Sequence, residues 1–146
     1  MTALLINTGS SSLKFHLASL SDHSILVQGM YDWASGRCQL KLQDHSAALN
    51  IQGAAECFHH LLTQLDALFP AQMKSLVAVA HRVVHGGTLC RTTLLDDASV
   101  AKITHAADFA PLHNPPALEV IAQALARLQG LAPVSYTHLR AHETRE

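Results

Sequence analysis

Three short strings in the chain carry side chains whose types and spacing could do chemistry. The first is Asn7-Thr8-Gly9-Ser10-Ser11-Ser12-Leu13-Lys14, which gathers a glycine, three serine hydroxyls and a lysine around one turn. A phosphate asks for that set: backbone N–H groups exposed by a tight turn, hydroxyl donors and an ammonium charge. The spacing is not that of a Walker loop, and a Gly-Ser-Ser-Ser run is also the composition of an ordinary polar turn. The second string is Ala80-His81-Arg82-Val83-Val84-His85-Gly86-Gly87, where an arginine closes an apolar run just before two glycines. Glycine lets a backbone approach a ligand closely. Taken alone, the arginine reads as a solvated strand-end residue. In the third string, Ala110-Pro111-Leu112-His113-Asn114-Pro115, a histidine stands just before a helix start. A histidine in that position can serve as a local hydrogen-bonding group.

The 11 histidines raise the question of metal binding. Adjacent His59 and His60 project differently on a helix, however, and no Cys/His pair has zinc-finger spacing. Together with His81 and His85 they read as helix-surface and core histidines. Cys38, Cys57 and Cys90 are odd in number and far apart, so no disulfide framework is implied and each reads as a packing residue.

The elements that must position these strings follow from hydrophobic periodicity. Ala3 to Ile6 is a short apolar run that enters the Asn7–Ser10 turn, as a buried strand would. Leu13, Phe15 and Leu17 then alternate with polar or small residues, the period-2 pattern of a half-buried strand, and the two runs predict a hairpin. Turn residues Ser21 to Ser24 precede an alternating Ile25, Val27 and Tyr31. A second turn at Ser35-Gly36 leads to Cys38, Leu40 and Leu42. Four successive, mostly antiparallel strands are expected. The period changes at Phe58, Leu61, Leu62, Leu65 and Leu68, which share one helical face ending before Pro70. Ser75 to Val84 predicts a buried strand. Asp96 or Asp97 caps a short helix through Val100 and Ile103. Asn114 is the expected N-cap of a last helix with Pro115 in its first position, Leu118, Ile121, Leu125 and Leu128 on one face, and Gly130 beyond its end.

Composition bounds the function class. With 146 residues, 49% hydrophobic and 14% charged, the chain suffices for one domain with a core and is too apolar for a disordered tail. Ten Lys plus Arg against 11 Asp plus Glu give a formal charge of −1. Such a balance builds no field for a nucleic-acid backbone or an anionic membrane, and no apolar run approaches the ~18 residues of a membrane span. A cytoplasmic setting is expected, with neither nucleic acid nor membrane as partner. Residues 134–146, VSYTHLRAHETRE, show neither strand alternation nor a helical apolar stripe. They resemble the conceptual translation of a sequencing adapter and read as a non-native tail, leaving 1–133 as the domain.

The three chemical strings also carry a family resemblance. LLINTGSSSLKF resembles the opening of acetate kinases, an apolar strand followed by Asn-x-Gly-Ser-Ser-Ser-x-Lys. AHRVVHGG, from Ala80 to Gly87, resembles the family's Gly-His-Arg-Val-Val-His-Gly-Gly. APLHNPPAL, from Ala110 to Leu118, resembles its Ala-Pro-Leu-His-Asn-Pro. The order and spacing agree from Met1 to Pro133. Departures are small: Ala80 replaces a glycine, and Thr8 stands where Cys or Ala is common.

The resemblance implies an α/β fold of the ribonuclease-H-like, actin-like ATPase type. In this chain it would be an incomplete N-terminal acetokinase domain, a mixed β-sheet with covering helices. It implies transfer of the γ-phosphoryl of ATP to acetate with Mg2+, giving acetyl phosphate and ADP, by a parent that is a homodimer. By the same resemblance Asn7 is associated with the metal, Lys14, Ser10 and Ser12 with ATP, Arg82 with the carboxylate, and His113 with the transition state. Val84 and Leu112 would belong to the apolar acetate pocket, although each could equally be core. Alternatives are a propionate or butyrate kinase fragment and, in another class, a non-catalytic histidine-rich metal- or nucleotide-binding module.

Overall fold

A computed structural model describes residues 1–83, 92–112 and 114–136. Its elements are β1 (Thr2–Thr8), β2 (Ser12–Ser19), β3 (Ile25–Asp32), β4 (Cys38–Leu42), β5 (His45–Leu49), α1 (Gly53–Leu68), α2 (Pro70–Lys74), β6 (Leu76–Arg82), β7 (Thr93–Leu94), α3 (Asp97–His105), a 3-10 turn (Ala106–Phe109), α4 (Asn114–Arg127) and β8 (Ala132–Tyr136). Among the described residues the strands form one sheet in the order β5-β4-β3-β2-β1-β6-β8-β7. The β1 to β5 run is antiparallel throughout, whereas β6 lies parallel to β1 and β8 parallel to β6. The mixed sheet with helical cover is therefore present.

Alternation decides which face is covered. Leu4, Ile6, Leu13, Phe15, Leu17, Val27, Tyr31, Cys38 and Leu40 point one way and are buried together against Phe58, Leu61, Leu62 and Leu65 of α1 and Val120 and Ala124 of α4. Each fully buried large apolar side chain contributes roughly 1.5–3 kcal/mol, so this layer decides the register of the whole sheet. Gly29 belongs to it for a steric reason. A Cβ there would strike the Lys41 carbonyl oxygen and come within 2.7 Å of the Phe15 ring, which occupies the space instead.

Several expectations are refined. A fifth strand, His45–Leu49, extends the antiparallel run; it is largely exposed and lacks the apolar alternation that would announce it. α1 ends at Leu68, before Pro70 as expected; Leu68 is 54% exposed, and Pro70 opens the short helix α2. Asn114 is not an N-cap. It is the first residue of α4, fully buried, with its backbone N–H on the Ala110 carbonyl and its side-chain amide on the Ile103 carbonyl. The fully buried stripe of α4 includes Ala117, Val120, Ile121 and Ala124; Leu118 and Leu128 pack partly buried against the cores, while Leu125 is exposed. Finally, β8 continues to Tyr136, three residues into the stretch set apart from 134 onward; its pairing with β6 uses backbone groups, which need no apolar side-chain pattern.

Candidate functional site

Strand register assembles the first part of the site. In the β1–β2 hairpin Asn7 stands opposite Lys14, and in the parallel β1–β6 pair Asn7 stands opposite Arg82. Residues directly opposite share a face of the sheet, so Lys14, Asn7 and Arg82 form one row across three adjacent strands. With neighbouring strands about 4.8 Å apart, the two cationic residues are roughly 10 Å apart at the backbone, with the Asn7 amide between them. Their sequence neighbours Ile6, Phe15 and His81 face the opposite way and are 1%, 0% and 2% exposed. The row therefore lies on the face away from α1 and α4, where Lys14 is exposed and Asn7 and Arg82 are half-buried. Its position is the carboxyl end of two parallel strands, where open α/β sheets place their ligands.

The turn beside this row is tight. Gly9 donates its N–H to the Ser12 carbonyl at 2.7 Å, and Trp33 donates to the Ser11 carbonyl at 2.9 Å, which pins the turn to the end of β3. Ser10 is exposed and Ser12 half-buried. A Cβ on Gly9 would sit 3.4 Å from the Ser12 hydroxyl oxygen, an ordinary contact. On the β2 side, Lys14 lines a cavity of about 340 Å³ with His16, Gln28, Met30, Lys41 and Gln43 among its walls. Register also brings Asp32 opposite Ser12, a carboxylate at the same end of the sheet that the sequence motifs did not single out. One of its oxygens accepts the Ala34 N–H at 2.9 Å, so it also holds the following turn.

A second small core fixes the strand end next to Arg82. Val83 is fully buried with Leu95, Ile103 and Ile121, and Leu118 packs beside them. The short helix α3 is set by a capping box: the Asp96 carboxylate accepts the Ser99 N–H at 2.8 Å, and the Asp96 N–H donates to the Ser99 hydroxyl at 2.7 Å. Those hydrogen bonds hold the Asp96 carboxyl below its usual range. Because α4 runs back from the end of β6 to the start of the parallel strand β8, Leu112, just before α4, lies at the same end of the sheet as Arg82. Leu112 is 65% exposed, and so is not core. Val84 and His113, with the His85-Gly86-Gly87 string, lie outside the described residues. Beneath the row, His81 is buried with neither ring nitrogen hydrogen-bonded, and burial pulls its pKa down to about 4, so the ring is neutral. Arg82 therefore has no second positive charge beneath it.

His59 and His60 make structural contacts. His60 shares a 2.8 Å hydrogen bond with the Tyr31 hydroxyl, and burial followed by the neighbouring His59 lowers its pKa. Arg127 donates to His59 Nδ1 at 2.6 Å. Among the described residues no group of three His, Cys, Asp or Glu side chains could hold a metal ion. No helix there is long and apolar enough to cross a membrane.

The sequence pattern of the acetokinase family matches residues 2–144. An acetate kinase of Brachyspira hyodysenteriae is 29% identical over 161 residues, covering 99% of this chain and 39% of that relative. Among solved structures, a propionate kinase from Francisella tularensis superposes with a TM-score of 0.81 at 29% identity, covering 93% of this chain and 36% of its own. A Porphyromonas gingivalis acetate kinase gives 0.80 at 27% identity, covering 93% and 37%. The chain thus spans well under half the length of the relatives it matches. With one sheet row holding Lys14, Asn7 and Arg82 and a family match over nearly its whole length, the chain belongs to the acetokinase family.

Proposed function

We propose that the chain supplies the N-terminal, phosphate- and carboxylate-binding part of a cytoplasmic kinase that transfers the γ-phosphoryl of ATP to acetate. The observation that carries this reading is the register row. It spaces an ammonium, an amide and a guanidinium along one strand end, so a phosphoryl donor at the Gly9 turn and a carboxylate at Arg82 would meet near Asn7. Lys14 and the hydroxyls of Ser10 and Ser12 hold phosphate oxygens. Arg82 orients the carboxylate and offsets its repulsion from the incoming phosphoryl group. Leu112 and Val84 bound the acyl chain, and His113 donates to the phosphoryl oxygens in the transition state. The attacking carboxylate oxygen forms the new P–O bond as the bond to ADP breaks, giving acetyl phosphate.

Magnesium is bound by oxygen ligands and keeps several waters beside substrate phosphates. The Asn7 amide oxygen and the neighbouring serine hydroxyls fit such a partial set, with water and phosphate completing it. When bound with the nucleotide, the ion supplies charge neutralisation at the phosphates. Comparable similarity to a propionate kinase and an acetate kinase supports a short carboxylate in general, with acetate the first substrate to assay.

The test is hydroxamate trapping of acyl phosphate from ATP, magnesium and acetate, using a protein of the relatives' full length that carries this sequence. Losing one partner of a buried charged contact costs about 2–5 kcal/mol. Arg82→Ala should therefore raise the acetate KM at least thirtyfold while leaving the ATP KM within about threefold. Near-normal acetate kinetics would remove Arg82 from the site. The 146-residue chain itself should show no turnover, because phosphoryl transfer needs charge stabilisation from several sides. Turnover equal to that of the longer protein would refute the reading.

A further inference from the structure

Two cysteines meet in the core, away from the row just described. Cys38 is the first inward position of β4, followed by Leu40 and Leu42, and Cys57 lies one turn before Leu61 on the buried stripe of α1. Their sulfurs are 3.8 Å apart, both side chains are 0% exposed, and both thiols are free. That separation is sulfur–sulfur contact; a disulfide needs about 2.05 Å, so closing the bond requires less than 2 Å of approach, shared between two side chains.

We propose that Cys38 and Cys57 form a peroxide-reactive dithiol that closes into a disulfide stapling β4 to α1. The environment selects the oxidant. Both sulfurs are fully buried, so a bulky disulfide cannot reach them, whereas hydrogen peroxide is small enough to enter on a slight opening. Burial raises both thiol pKa values, so the attacking species is the minor thiolate and the reaction is slow. One sulfur, having lost its proton, attacks the O–O bond, and the displaced hydroxide takes up that proton, giving a sulfenic acid and water. The second sulfur then attacks the sulfenic sulfur, forms the S–S bond and releases a second water. In sum, two thiols lose two hydrogens and two electrons, and one peroxide becomes two waters. Because the second thiol already stands in contact, the sulfenic acid is resolved before it can climb to the irreversible sulfinic level.

The staple would act on a strand that matters for the exposed face. Lys41 of β4 pairs with Met30, which pairs with Lys14, so β4 carries a lysine in the same row as the phosphate-side lysine. Fixing β4 to α1 also closes a loop across the intervening hairpin and β5.

The experiment uses the chain with Cys90→Ser, which leaves only these two thiols. The native protein is treated with hydrogen peroxide, then denatured, alkylated and weighed intact. The expected product is monomeric, lighter by two hydrogen atoms and unalkylated, and its melting temperature is higher by about 10 °C, the shift expected from closing a loop of this size. Dithiothreitol reverses both changes. Ellman's reagent leaves the native thiols untouched over the same period. Adding Cys57→Ser removes the resolving sulfur, so Cys38 gains one or more oxygen atoms instead. Full alkylation of both thiols after peroxide would overturn the proposal, as would an intermolecular disulfide or reaction with Ellman's reagent as fast as with peroxide. The Cys90→Ser protein decides between these results even if the double variant does not fold.

Discussion

Lowering the pH from 7.5 to 4.5 should strip stability from this fold through one side chain. His81 is 2% exposed on β6, faces the covered side of the sheet and has no hydrogen-bond partner for either nitrogen. Burial alone lowers its pKa from 6.5 to about 4. The sign follows from which state takes the proton first. As pH falls below 6.5 the unfolded chain binds it while the folded chain does not, so unfolding is favoured progressively until the pH reaches about 4. Above 6.5 both states are neutral and the full stability is present. At about 1.4 kcal/mol per pKa unit, the loss at pH 4.5 comes to about 2.5 kcal/mol, a large part of the roughly 5–15 kcal/mol that holds a domain folded. Urea unfolding at both pH values, in the wild-type chain and in His81→Leu, measures it. The leucine variant titrates nothing at this position and should lose about 2.5 kcal/mol less between the two pH values. Parallel losses in the two proteins would show that His81 is solvated or partnered, and the reasoning from its burial would fail.

Other perturbations test other layers of the structure. Gly29→Ala would drive a methyl group against the Lys41 carbonyl and the Phe15 ring, and should cost about 1–3 kcal/mol in urea unfolding; an unchanged midpoint would mean that β3 and β4 separate freely. Tyr31→Phe removes the partner of His60 and should cost about 1 kcal/mol, with the His60 proton resonances in NMR shifting as the ring loses its anchor. Ser99→Ala breaks the capping box of α3 and should lower the melting temperature, by the equivalent of about 1 kcal/mol, without changing the exposure of Tyr31. In the longer protein Lys14→Ala should raise the ATP KM and leave acetate saturation nearly unchanged, the reverse of Arg82→Ala.

Much of the fold was legible because its elements bury one face. The alternation of Leu13, Phe15 and Leu17 and the Phe58–Leu65 stripe mark the covered layer directly. The β5 strand was invisible, since His45-Ser46-Ala47-Ala48-Leu49 sits at an edge and buries almost nothing; its backbone pairing leaves no trace in side-chain type. Asn114 was misplaced because a buried amide serving the Ile103 carbonyl has the same identity as an N-cap. On α4 the expected Leu118, Ile121 and Leu128 do pack against the cores and only Leu125 is exposed, while Ala117 and Ala124 join the buried stripe without standing out in a hydrophobic count. Asp32 was passed over because an aspartate before a turn has an ordinary local role, and only its pairing with Ser12 brings it to the strand end.

What turns three motif strings into one site is register, and register here depends on one extra residue in each of two strand pairs: Val77 is left over between β1 and β6, so that Asn7 meets Arg82 rather than His81, and Leu26 between β2 and β3. Near the β2–β3 turn Ala18 pairs with Ile25, and continuing that count would set Lys14 opposite Gly29. Gly29 belongs to the covered layer, where the Phe15 ring fills its place, so a lysine opposite it would be buried without a partner. Instead Leu26 is left over as a bulge, Leu17 pairs with Val27, and the count shifts by one so that Lys14 meets Met30 on the exposed face. A slip of one residue exchanges the two faces of a strand, so burial of Phe15 and Leu17 on one side compels exposure of Lys14 on the other. The β1–β2 pairing carries that choice to Asn7, and the parallel pairing with β6 carries it to Arg82, with Ile6 and His81 as the buried counterparts. The row of polar groups at the strand end is therefore the outward image of the core, and a core substitution that shifted β2 by one residue would remove Lys14 from the site without touching any residue of it.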